Sequence, residues 1–289
     1  MSNVAIITDS NSGITQIEAK ELGINVVPMP FTIDGLEYKE DINLSQEKFY
    51  ELLTSGKEVF TSMPALGDLE LLFDQVLKNY DQIVYIPMSS GLSSSYSASA
   101  IFAEENYPNK VFVVNNQRIS VTLRSDVLNA IEFAKQGKTG EEIKTLLEAS
   151  RFDSTIYVTV DDLTYLKKGG RITPAVATIA GLLKIKPILS IYGEKLDLFQ
   201  KARTLSKCFK IMIDAVNKDI AKLDPEGLGT NIQLAIAHSC NLEDAEKLKE
   251  TVLEIYPKHE IIINPISLSV ACHTGPGAIG LGCIKKADI

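Results

Sequence analysis

The sequence predicts an α/β protein, with an N-terminal parallel-sheet α/β domain over residues 1–155 and a second α+β domain over residues 156–289. Three observations carry this. In the first half, short apolar runs alternate with stretches of helical periodicity, and strand–helix alternation with short turns implies a parallel sheet covered on both faces. From about residue 154 the order changes to paired strands joined by a tight turn, followed by helix, strand, helix and strand. A chain of 289 residues, 45% apolar and 23% charged, has the length and composition for two ordinary globular cores.

The elements follow in order. Val4-Ala5-Ile6-Ile7 reads as a buried strand ended by the polar turn Thr8-Asp9-Ser10-Asn11-Ser12-Gly13. Residues 24–33, broken by Pro28 and Pro30, read as an extended, edge-like segment. Asn43 and Gln46 form a capping pair for a helix that carries Phe49, Leu52 and Leu53 and stops at Gly56. Pro64 opens a helix with Leu69, Leu72, Phe73, Val76 and Leu77 at helical spacing. Strand 83–86, a Ser-rich turn, a helix through Ala98 and Ile101, strand 111–114 and a helix over 125–135 complete the first half. In the second half, strand 155–160 leads to a short helix ending at Gly169-Gly170, then an apolar helix through Val176, Ile179, Leu182 and Leu183. A hairpin follows, with strands 186–191 and 195–199 around Tyr192-Gly193-Glu194. Helix 206–218, strand 232–237, helix 242–255, strand 260–264 and a Gly-rich tail close the chain.

Composition excludes several function classes. The chain has 29 Lys+Arg against 37 Asp+Glu, a net charge of −8, whereas nucleic-acid binding needs a basic surface to release counterions. No apolar run approaches the roughly 18 residues that span a bilayer. Residues 1–3 show neither a basic n-region nor a cleavage site, so the expectation is a soluble, cytoplasmic protein. The four cysteines, Cys208, Cys240, Cys272 and Cys283, form no CxxC pair and read as buried free thiols in a reducing compartment. The three histidines, His238, His259 and His273, share no helical face, which argues against a metal site.

Chemistry could sit at five places. Asp9-Ser10 lies at the carboxyl end of the first strand, where ligands collect in parallel sheets, although both residues also suit a helix cap. Thr61-Ser62-Met63-Pro64 precedes a helix and offers hydroxyls and free N–H groups either to an anion or as plain caps. Ser89-Ser90-Gly91-Leu92-Ser93-Ser94-Ser95 is the most unusual stretch. It reads as a cradle for a carboxylate or phosphate at a helix N-terminus, or as a polar turn. It also nearly matches the nucleophile elbow G-x-S-x-G, with Ser95 replacing the final glycine, which keeps open a serine hydrolase with Ser93 as nucleophile and His273 or His238 as base. Lys167-Lys168-Gly169-Gly170-Arg171 suits a helix C-terminus, while Arg171 could face an anionic ligand or partner. Gly275, Gly277 and Gly280 spell G-x-G-x-x-G too close to the C-terminus for a dinucleotide fold, leaving a flexible loop with His273.

Taken together and in order, these pieces resemble the DegV family. The motifs are Thr8-Asp9-Ser10, Thr61-Ser62-Met63-Pro64, Ser89-Ser90-Gly91-Leu92-Ser93, Leu166-Lys167-Lys168-Gly169-Gly170-Arg171-Ile172, Lys186-Pro187, Ala202-Arg203-Thr204 and His273-Thr274-Gly275-Pro276-Gly277-Ala278. The resemblance implies a two-domain protein that holds one long-chain fatty acid in a tunnel between its domains. It further implies the fatty-acid-binding, non-catalytic subunit of a bacterial fatty acid kinase, which presents the carboxylate to a separate ATP-binding subunit for acyl-phosphate formation and phospholipid synthesis. On that resemblance Thr61 and Ser93 hydrogen-bond the carboxylate, the Ser94 N–H assists, and His273 closes the site. Arg203 lies near the entrance and contacts the kinase, with Arg171 a basic neighbour. The only ligand implied is the fatty acid, with no cofactor or metal, and contact with a membrane surface is transient. A tunnel wall over 176–183 and the strands around it is expected. Met63 departs from the usual Gln, Ser94-Ser95 from Gly-Thr, and Asn115-Asn116-Gln117-Arg118 from Asp-Ser and a glycine-rich run. No G-x-x-x-x-G-K-[ST] motif is present to bind ATP.

Overall fold

The computed structural model describes residues 3–171, 173, 176, 185–226 and 229–287. In chain order the first half contains β1 (Val4–Asp9), α1 (Gln16–Leu22), β2 (Asn25–Val27), β3 (Pro30–Ile33), β4 (Leu36–Lys39), α2 (Gln46–Thr54), β5 (Val59–Thr61), α3 (Leu66–Val76) and β6 (Gln82–Ile86). It continues through α4 (Ser95–Asn106), β7 (Val111–Val113), α5 (Ser120–Lys135) and α6 (Gly140–Ala149). The second half has β8 (Ser154–Thr159), α7 (Thr164–Lys168), β9 (Lys186–Tyr192), β10 (Lys195–Ala202) and α8 (Leu205–Leu223). It ends with β11 (Ile232–His238), α9 (Leu242–Ile255), β12 (Ile261–Pro265), α10 (Leu268–Thr274) and β13 (Ile279–Lys285).

Three sheets result. The parallel sheet has the order β2-β1-β6-β7, and its strands alternate with helices as the sequence predicts. A six-stranded sheet, β10-β9-β8-β13-β11-β12, is antiparallel except for the β11–β12 pair. A small antiparallel sheet, β4-β3-β5, stands beside them. The two large sheets face each other across α5. Val4, Ile6, Val84 and Ile86 of one, Ile156, Val158, Leu189 and Ala235 of the other, and Leu123, Val127 and Ala130 of α5 belong to one buried cluster. The opposite face of the parallel sheet packs on α3 and α4, and that of the six-stranded sheet on α8 and α9.

Several local expectations are corrected. The segment 24–33 is an edge only at β2, because β3 is the central strand of the small sheet. Ser45, not Asn43, caps α2 by accepting the Lys48 N–H at 3.3 Å, while Asn43 Oδ1 accepts the Lys39 N–H at 2.7 Å and closes the preceding turn. Helix α3 starts at Leu66, two residues beyond Pro64. Helix α5 starts at Ser120, earlier than the expected 125; it is buried on most sides, so its apolar residues show no single stripe to mark its start. Helix α6 was not expected from the sequence, although Thr139 and Glu142 form a reciprocal capping box at its start. The largest correction concerns the Gly-rich tail. It holds α10 and then β13, which lies between β8 and β11 in the six-stranded sheet. A Cβ on Gly282 would come within 2.9 Å of Val121 Cγ2, so this glycine lets α5 approach the strand closely. The apolar helix expected over 176–183 lies outside the described residues apart from Val176, which is buried.

Candidate functional site

Between the two large sheets lies a cavity of about 380 Å³. Its aliphatic wall comes from the inner face of the six-stranded sheet, with Val158 from β8, Val160 just beyond it, Leu189 and Ile191 from β9 and Leu196 from β10. Met29, Met88, Leu92, Ile119, Leu166 and Val270 add further apolar surface. The strand period of two explains the wall, since alternate residues Tyr157 and Ile188 turn to the opposite face and pack with α8.

The polar lining gathers at three chain segments and one helix end. Thr61 closes β5, Ser93 and Ser94 form the turn into α4, Arg171 follows α7, and His273 lies in the last turn of α10. All five line the cavity. Thr61 Oγ1 and His273 Nε2 are hydrogen-bonded at 2.8 Å. Ser93 Oγ lies 2.9 Å from Ser95 Oγ and accepts the Ser95 N–H at 3.2 Å. Arg171 donates from Nε to the Leu92 carbonyl and from Nη1 to the Gly169 carbonyl, which ties the segment after α7 to the serine turn. The Ser94 N–H meets no acceptor among the described residues. Ser94, Ser62 and Arg171 are exposed, so the polar cluster stands at the mouth and the aliphatic wall lies within.

Electrostatics keep His273 neutral. Burial, and secondly the charge of Arg171, push its imidazole down to about 4. Its Nδ1 is buried without a hydrogen-bond partner among the described residues. Arg203, by contrast, is exposed beyond the end of β10 and does not line this cavity. Asp9 serves as a structural clamp. Oδ1 accepts the Asn11 N–H at 2.9 Å and Oδ2 accepts the Met88 N–H at 2.8 Å, joining the ends of β1 and β6. Burial raises Asp9 to about 6 against those two bonds. Asn11, not Asp9 or Ser10, reaches the cavity, with Oδ1 accepting the hydroxyls of Ser267 at 2.8 Å and Ser269 at 2.6 Å. Asn11 and Ser269 escaped the sequence reading because a lone amide and a lone hydroxyl carry no spacing signal. The location of Asn11 in the polar turn after β1 was the available clue.

The elbow geometry is not met. Ser93 is not among the non-glycine residues with positive φ, so it does not occupy a strained turn. His273 Nε2 is bound to Thr61, and His238 Nδ1 accepts the Asn241 N–H at 3.3 Å, so neither imidazole is hydrogen-bonded to Ser93. His273 also lies on a helix rather than in a flexible loop, and the glycines after it lead into a strand, not a helix. Among the described residues no group of three or more His, Cys, Asp or Glu could hold a metal ion, and no helix is long and apolar enough to cross a membrane. All four cysteines are free, and Cys240 is exposed where a buried thiol was expected.

Fold and cavity together define an α/β protein with an apolar pocket between its two large sheets and a hydroxyl-rich mouth. The chain belongs to the DegV family, whose model matches residues 3–286. Protein DegV of Bacillus subtilis is 30% identical over 98% of this chain and 100% of its own length. A DegV domain-containing protein of Clostridium perfringens is 32% identical over 97% of each chain. Among solved structures, DegV of Bacillus subtilis, described as a fatty acid binding protein, superposes with a TM-score of 0.86 at 29% identity, covering 99% of this chain and 100% of that one. A DegV family protein from Thermus thermophilus, described by its fatty acid binding, superposes with a TM-score of 0.88 at 26% identity, with coverage of 99% and 100%.

Proposed function

We propose that this protein binds one long-chain fatty acid in the inter-sheet cavity and presents its carboxylate at the mouth to a separate ATP-dependent kinase subunit, without itself performing the phosphoryl transfer. The observation that carries the reading is the division of one cavity into an aliphatic interior and a mouth of hydroxyls, an N–H and an imidazole. Each buried CH₂ of an acyl chain contributes about 0.8 kcal/mol, so the interior favours a long chain. A carboxylate leaving water needs hydrogen-bond donors, and the Thr61 and Ser93 hydroxyls and the Ser94 N–H supply them. The exposure of Ser94 and Arg171 leaves the acid end open to a second protein, and Arg203 supplies an exposed charge for that contact. The DegV relatives described as fatty acid binding proteins support the ligand class. The site residues, the kinase partner, a cytoplasmic location and a division of the chain at residues 155/156 belong to this reading.

Mass spectrometry of the solvent-extracted protein tests the ligand. A near-stoichiometric free fatty acid is expected after purification from a bacterial host. Thr61→Ala with Ser93→Ala should weaken retention, each change leaving part of a buried carboxylate unpaired at about 1–3 kcal/mol. Full retention in the double variant would remove these two hydroxyls from the site.

A further inference from the structure

The glycine pair after α7 divides two tasks. Gly170 has φ +68°, a left-handed conformation that ends the helix and favours glycine. Gly169 has φ −74° and ψ −7°, which any residue adopts, so its backbone does not explain it. A Cβ there would sit 1.9 Å from His273 Nδ1 and 2.6 Å from Cε1. The imidazole therefore lies directly on the Gly169 Cα. Its Nδ1 is buried with no hydrogen-bond partner among the described residues, while Nε2 meets Thr61 Oγ1 at 2.8 Å.

A neutral imidazole carries one N–H. Placed on Nδ1, that hydrogen would be a buried donor facing a Cα–H, with nothing to accept it. Placed on Nε2, it bonds Thr61, and the bare Nδ1 receives a weak contact from the Gly169 Cα–H. We propose that Gly169 is a positioning residue whose missing side chain seats His273 as the Nε2–H tautomer, so that His273 donates to Thr61 and the Thr61 hydroxyl hydrogen is directed to the ligand. A hydroxyl has one hydrogen and two lone pairs. With one lone pair occupied by Nε2–H, Thr61 acts on the ligand as a donor, which suits an ionised carboxylate and not a group that offers only hydrogens. Arg171 is the charge acting on the ring. Of the titratable side chains on the elements packed against α10, Tyr165 on α7, Tyr50 on α2 and Glu40, which follows β4 and accepts the Leu268 N–H, make no hydrogen bond to it. The ligand consequence rests on the carboxylate reading above, whereas the tautomer is a property of the empty protein.

Long-range ¹H–¹⁵N correlation spectra of the full chain labelled with ¹⁵N-histidine decide this. The three histidines give three ring systems, and loss of one in His273→Gln assigns it. The expected spectrum shows His273 as Nε2–H and neutral at every pH above about 4. Gly169→Ala should displace the ring, giving mixed tautomers or a higher titration midpoint, with palmitate affinity lower by about tenfold, the size of one lost hydrogen bond. An Nδ1–H tautomer in the unmodified chain would overturn the proposal without recourse to any variant. So would a Gly169→Ala spectrum identical to that of the parent. Nε2–H in a chain that takes up no palmitate would uphold the positioning role and sink the ligand reading instead.

Discussion

Glu40 stands at the start of α10, the helix that carries His273, and replacing it with glutamine should remove a defined pH dependence of stability. Its Oε2 accepts the Leu268 N–H at 3.0 Å, and the residue is only 8% exposed. Burial pushes the carboxyl from 4.5 to about 8, with the charge of Asp41 adding to it and the Leu268 N–H and Ser10 hydroxyl opposing it. Between those two values the folded chain holds a proton that the unfolded chain has released. Stability from this group is therefore complete below about pH 4.5 and is lost as pH rises through about 8. From 4.5 to about 8 is roughly 3.5 pH units, which at about 1.36 kcal/mol each comes to about 5 kcal/mol. Comparing the parent with Glu40→Gln above pH 6.5 isolates Glu40, because every other titrating group is common to the two proteins. The smaller contributions there of Asp9 and Asp126, raised by burial to about 6, of His273, lowered from 6.5 to about 4, and of the buried thiols of Cys272 and Cys283, raised above 9, cancel in that comparison. About 2 kcal/mol then remains between pH 6.5 and 8. Glu40→Gln keeps an oxygen for Leu268 and stays neutral throughout. Urea unfolding at pH 6.5, 7.5 and 8.5 should show parent stability falling by about 2 kcal/mol relative to the variant. Equal slopes in the two proteins would mean that Glu40 is ionised in the folded chain and that the burial argument is wrong.

Arg118→Met should destabilise the fold by about 3–5 kcal/mol, because it strands the fully buried Asp126 that Arg118 Nη1 contacts at 2.7 Å. Adding Asp126→Asn should recover part of that loss, and denaturant midpoints of the single and double variants check both statements. Leu189→Trp puts a larger side chain on the aliphatic wall and should shift the extracted ligand toward shorter acyl chains, read by mass spectrometry. An unchanged chain-length distribution would place Leu189 off the acyl path. Arg203→Glu should leave fatty acid retention as it is and lower acyl-phosphate formation when the kinase subunit is supplied. Equal turnover would remove Arg203 from the partner contact.

Much of the fold was legible because its signals are local. The strand-and-helix alternation of the first half, the hairpin around Gly193 and the bounds of α9 depend on periodicity and turn chemistry within a few residues. Strand β13 was hidden because Gly280, beside β8, and Gly282, close against α5, remove the alternation that marks a strand. Helix α5 was foreshortened because burial on both sides erases an amphipathic stripe. At the site, Thr61, Ser93, Ser94, Arg171 and His273 stood out in the sequence as residue types. The family resemblance placed Thr61 and His273 at one site, but no spacing in the sequence shows the direct bond between them.

The sequence by itself determined most of the strands and helices and which turns carry hydroxyls. Only the tertiary structure decided that β5 and α10 bring a hydroxyl and an imidazole within 2.8 Å, and that Gly169 is a seat for a ring rather than a helix stop. The physical reason is range. Backbone propensity and capping act over one or two turns, whereas the roles of Gly169, His273 and Gly282 arise from close packing between segments far apart in the chain, where a single Cβ decides whether two surfaces can meet.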